Sequence, residues 1–90
     1  MLYTLSQAQY DLPSLTAQLA LLGQDDALLL WQDGVLQAVK NPQIFANLAH
    51  VFVLKEDLLA RNLPLPTACQ AISLKELVTI TERFYPQVAY

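Results

Sequence analysis

The chain has 90 residues, of which 54 % are hydrophobic and 14 % charged, and a formal net charge of −3. Against a typical charged share of roughly 25 %, that is more apolar matter than one small domain over residues 1–90 can bury, and large exposed apolar patches mark partner interfaces. The five basic residues, Lys40, Lys55, Arg61, Lys75 and Arg83, are scattered, which argues against direct nucleic-acid binding, because phosphate contacts need a basic stripe.

Leu2–Tyr3–Thr4–Leu5 is a run of β-formers without a breaker and predicts a first strand. Ser6 to Tyr10 is polar and predicts a loop. Asp11 is placed as an N-cap and Pro13 in the first turn of a helix. Leu12, Leu15, Leu19 and Leu22 then form one apolar stripe, which Gly23 is expected to end. Ala27 to Trp31 is continuously apolar, the pattern of a strand buried on both faces of a parallel sheet. Asp33–Gly34 reads as a turn whose carboxylate caps a short helix from Val35 to Val39. Asn41–Pro42 restarts a helix as N-cap and N1, with Ile44, Phe45 and Leu48 on its apolar face.

Val51–Phe52–Val53–Leu54 predicts the third strand. Lys55–Glu56–Asp57 begins a short helix carrying Leu58, Leu59 and Arg61. Leu63–Pro64–Leu65–Pro66 is a connector, since each proline disfavours the α region for the residue before it. Cys69 to Ile72 predicts a weak fourth strand. Ser73 and Glu76 have capping-box spacing ahead of a last helix through Leu74, Leu77, Val78 and Thr81. Pro86 stops that helix, and Gln87–Val88–Ala89–Tyr90 reads as a tail. The alternation predicts an α/β fold in three layers, with a mainly parallel sheet of about four strands between helices. Partners of such sheets meet the carboxyl ends of the strands.

The residue inventory for chemistry is thin. One cysteine and one histidine leave no internal disulfide, no multi-cysteine metal site and no two-histidine motif, so no metal or cofactor is expected. Cys69 is a weak nucleophile candidate: it lies shortly before a possible helix start, but no histidine or lysine is close in sequence. His50 opens a strand with no partner that would make it a base. Trp31, Gln32 and Asp33 sit at a strand end, where tryptophan is a frequent interface anchor. Together with Tyr90 they are the interface candidates. The longest apolar run is far short of the about 20 residues of a bilayer span, and Met1–Ser6 lacks a basic n-region. A soluble, cytoplasmic chain without a membrane partner is expected.

Four blocks carry a family likeness: Met1–Leu2–Tyr3–Thr4–Leu5, Leu28 to Val35, Leu54 to Arg61, and Gln87–Val88–Ala89–Tyr90. In them the chain resembles the TusB/DsrH family of small sulfur-relay subunits, within the DsrE/F/H-like group. The resemblance implies a non-catalytic subunit that assembles with TusC-like and TusD-like chains into a heterohexamer. That complex passes persulfide sulfur from TusA toward a TusE-like acceptor, for 2-thiolation of the modified wobble uridine (mnm5s2U) in tRNA. It further implies that the working cysteine belongs to the TusD-like chain. Some members of the DsrH branch, which works in sulfur oxidation, carry a cysteine in the first helix. Here that region holds Gln18, and Cys69 does not match the position. The alternatives are a DsrH-like subunit of a sulfur-oxidation complex and a persulfide-carrying sulfurtransferase using Cys69.

Overall fold

The computed structural model describes residues 1–67 and 69–90. Strand β1 (Leu2–Leu5) leads to helix α1 (Leu12–Leu19), then β2 (Ala27–Leu30), a 3-10 turn (Gln32–Gly34) and α2 (Val35–Lys40). A second 3-10 turn (Pro42–Phe45) precedes β3 (Val51–Leu54), which runs directly into α3 (Lys55–Ala60). The chain closes with β4 (Gln70–Ile72), α4 (Leu74–Arg83) and β5 (Gln87–Ala89).

The strands form one five-stranded sheet in the order β4-β3-β2-β1-β5, and every pairing is parallel. This order fixes the layers. From β1 to β4 each crossover steps the same way along the sheet, so right-handed connections place α1, α2 and α3 on one face. The return from β4 to β5 crosses the sheet the other way, which puts α4 on the opposite face. The buried side chains follow suit. Leu5, Leu28, Leu30 and Val53 pack with Leu15 and Leu19 of α1, Ala38 of α2 and Leu58 of α3. Leu2, Leu29, Phe52, Leu54 and Ile72 pack with Leu77 and Ile80 of α4 and with Phe84. β2 and β3 are buried along their whole length, as expected for strands covered on both faces.

The sheet has five strands where the sequence pattern predicts about four. The supposed tail is β5: Gln87, Val88 and Ala89 pair with Leu2, Tyr3 and Thr4. Its three residues are exposed or half-buried, so it lacks the apolar run that marks the inner strands. Helix α1 stops at Leu19 and unwinds through turns at Leu21 and Leu22 before Gly23 is reached. Asp11 caps it as predicted, accepting from the Ser14 amide. Asn41 does not cap the turn at Pro42; its amide nitrogen donates to Gln37 Oε1. The capping box at α4 is complete, with Ser73 Oγ accepting from the Glu76 amide and Glu76 Oε1 from the Ser73 amide. The apolar surplus does reach the surface: Leu21, Leu59, Leu65, Leu74, Val78 and Tyr85 are all more than half exposed.

Candidate functional site

The loops after β2, β3 and β4 meet at the carboxyl edge of the sheet, and three links join them. Leaving β2, Trp31 is extended and Gln32 takes a left-handed conformation, φ 53°. For a residue with a Cβ this costs about 1–2 kcal/mol. It turns the Gln32 amide onto Asp57 Oδ2 at 2.6 Å, a charge-assisted bond that offsets the strain. Asp33 Oδ1 accepts from Arg61 Nε at 3.1 Å and from Nη2 at 2.7 Å. Arg61 Nη1 in turn donates to the Asp57 carbonyl at 3.1 Å and lies 3.6 Å from its Oδ1. The third link runs onward, from the Leu74 amide at the start of α4 to Glu56 Oε1. Glu56 and Asp57 lie in the first turn of α3, where the helix dipole favours acids.

The predicted cap at Asp33 is therefore not made: neither the 3-10 turn nor α2 receives a side-chain cap, because the carboxylate is committed to Arg61. Gly34 also differs from a turn glycine. Its φ is −62°, open to any residue. What demands glycine is space, since a Cβ there would lie 1.9 Å from the Leu5 carbonyl oxygen. The start of α2 is thus pressed against the end of β1, and Trp31 N–H bonds the same carbonyl.

At the β1–β5 side of this edge stands a tyrosine group. Tyr10 Oη accepts from the Ser6 and Gln7 amides and donates to the Tyr90 carbonyl. The Tyr90 ring stacks on Tyr3, with centroids 5.6 Å apart and planes 9° from parallel, and its hydroxyl donates to Gln18 Oε1 at 2.7 Å. Burial, and then the neighbouring Tyr3, raise the Tyr90 phenol above its ordinary pKa. All four interface candidates thus lie at one edge, but not on one face. Trp31 packs partly on the α4 side of the core and Tyr90 on the α1 side. The Trp31 indole N–H is shielded, and no acceptor among the described residues pairs with it.

Cys69 lies at the opposite, amino edge, next to the first residue of β4. It packs partly against the α1-side core, and burial pushes its thiol up to about 11. His50, just before β3, holds its ring against Phe84 with centroids 5.3 Å apart, a packing role. Arg61 escaped the sequence reading as a site residue, whereas Glu56 and Asp57, at the end of the third strand, read there as a possible polar contact site or a solvated first helical turn. The spacing of Asp57 and Arg61 is that of a helical i,i+4 pair, but nothing local pointed to Asp33 or Leu74.

A family model described as "DsrH like protein" matches residues 7–87. The chain belongs to the DsrH/TusB family. An uncharacterized protein of Haemophilus influenzae is 44 % identical over 94 residues, covering 99 % of each chain. Protein TusB of Yersinia enterocolitica is 33 % identical and Protein TusB of Yersinia pestis 36 % identical, each over the whole of both chains. The fold of this DsrH/TusB chain is also that of protein Tm0979 from Thermotoga maritima, known from a solution NMR structure. The two superpose with a TM-score of 0.67 at 23 % identity, over 91 % of this chain and 92 % of the other. No helix among the described residues is long and apolar enough to cross a membrane.

Proposed function

We propose that this chain is a non-catalytic, cytoplasmic subunit of a TusBCD-type sulfur-relay complex. In this reading it assembles with TusC-like and TusD-like chains as a heterohexamer. The complex delivers sulfur to a TusE-like acceptor for 2-thiolation of the modified wobble uridine (mnm5s2U) in tRNA. The observation that carries the reading is the full-length similarity to proteins named TusB, at 33 and 36 % identity.

Two physical features support it. The one cysteine of the chain is half-buried with a thiol pKa near 11, so it is protonated at neutral pH, whereas persulfide exchange needs a thiolate. Solvent-exposed Leu59, Leu74, Val78 and Tyr85 supply apolar area suited to contact with other subunits. The linked loops at the carboxyl edge hold Trp31, Gln32 and Asp33 in place, and we assign them to the subunit contact together with Tyr90.

The test is made in the native cells. A tagged chain is expected to co-purify with TusC-like and TusD-like subunits. Deleting the gene is expected to lower 2-thiouridine in tRNA, and a Cys69→Ser copy to restore it fully. A lone monomer together with unchanged tRNA thiolation after deletion overturns the reading, and loss of rescue by Cys69→Ser returns the catalytic role to this chain.

A further inference from the structure

Among the described residues, helix α4, ten residues long, is the only helix on its face of the sheet. A helix about 10 Å across does not span five strands spaced about 4.8 Å apart. Beside it, over β3 and β4, lies a cleft of about 410 Å³. Its floor is apolar: Phe52 and Ile72 from the sheet and Ile80 from α4, all at most 6 % exposed.

The two ends of the cleft differ in charge. Toward the amino edge stand His50 and Arg83. One ring holds both: Arg83 Cζ lies 5.1 Å from the centroid of Phe84, and the His50 ring lies 5.3 Å from the same ring. The guanidinium is thereby positioned by a cation–π contact, and among the described residues no carboxylate forms an ion pair with it. Glu76 lies seven residues earlier on α4, about 10 Å away along the helix. Its Oε1 is already engaged by the Ser73 amide.

We propose that this cleft binds a small organic monocarboxylate, its carboxylate on Arg83 beside His50 and its aliphatic or aromatic body in the groove between Gln70 of β4 and Thr79 of α4, above Phe52 and Ile80. The planar guanidinium fork matches a carboxylate in geometry. One permanent cation beside one acid in an acidic chain suits a single negative charge better than two. The volume lies in the range of small-molecule sites, about 300–1,000 Å³. The site is separate from the carboxyl-edge contact and does not depend on the sulfur-relay reading.

The test is a titration of the isotope-labelled full chain with phenylacetate, followed by amide chemical shifts. Saturable shifts are expected at His50, Gln70, Thr79 and Arg83. Arg83→Gln is expected to weaken binding about tenfold or more, the loss of a charge-assisted pair. Thr79→Trp, which fills the cleft and leaves Arg83 in place, is expected to abolish it, and decides the matter should Arg83→Gln fail to fold. Lys40→Gln, remote from the cleft, is expected to change nothing. The proposal is overturned by shifts that do not saturate, by equal affinity in Arg83→Gln or Thr79→Trp, or by equal binding of phenylethanol or inorganic phosphate.

Discussion

The Asp33 carboxylate takes two Arg61 nitrogens on a single oxygen, at 2.7 and 3.1 Å, across 28 residues of sequence. This contact ties the loop after β2 to the end of α3. The Asp33 side chain is 57 % exposed, so the pair contributes only about 0.2–1 kcal/mol. Asp33→Asn is expected to lower stability by no more than that in urea denaturation, with the loss shrinking as salt is added. Arg61→Ala removes in addition the bond to the Asp57 carbonyl, and is expected to cost about 1–2 kcal/mol. A double-mutant cycle giving no coupling between the two positions would show that the contact does not persist in solution.

Gly34→Ala is expected to be far more damaging. A methyl group at that position meets the carbonyl oxygen of Leu5 at 1.9 Å and its carbon at 2.5 Å. Both atoms belong to the backbone of a central strand, which cannot swing aside. Relief requires α2 to move off β1, breaking the packing of fully buried Val35. Overpacking of this kind costs about 1–3 kcal/mol or more, and thermal or urea unfolding measures it directly. A variant as stable as the parent would refute the close approach of α2 to β1.

The Cys69 thiol gives a pH signature. Burial raises it from 9.0 to about 11, so the folded chain holds the protonated form more tightly than the unfolded chain does. That contribution to stability is complete below pH 9 and is lost as pH rises through about 11. Alkylation by iodoacetamide is therefore expected to be slow at neutral pH in the folded chain, fast after unfolding, and to accelerate only toward the raised pKa. Stability should also fall more steeply over this alkaline range in the parent than in Cys69→Ala. Rapid alkylation of the folded chain at neutral pH would contradict the burial.

The inner strands and the helices that cover them were legible because their signals are local. The unbroken run Ala27–Leu30, the stripe of Leu15 and Leu19, and the Ser73–Glu76 box each lie within a few residues. β5 was not legible, since an exposed three-residue edge strand is specified by its pairing with β1 and by little in its own composition. The same division runs through the carboxyl edge. Asp33–Gly34 announces a turn, yet the carboxylate is drawn to Arg61 and the glycine is required by Leu5. Both partners are distant in sequence and are brought in only by the parallel order of the sheet.

Trp31 separates packing from assembly. Its ring lies partly on the α4-side core while its shielded indole N–H lacks an acceptor among the described residues, a situation that costs about 1–3 kcal/mol. Trp31→Phe removes that donor and keeps most of the ring, so stability is expected to stay within about 1 kcal/mol of the parent or to rise. Trp31→Ala removes the ring as well; because the residue is only partly buried, the loss should fall below the about 3–5 kcal/mol of a fully buried aromatic. In the assembled complex, Trp31→Ala is expected to weaken subunit association more than Asp33→Ala, since aromatic anchors dominate interface energy and exposed rim charges contribute little. Size-exclusion chromatography of the co-expressed subunits reads this out. Equal assembly of the two variants would confine Trp31 to the core of its own chain and shift the subunit contact to the exposed row of Leu74 and Val78 on α4.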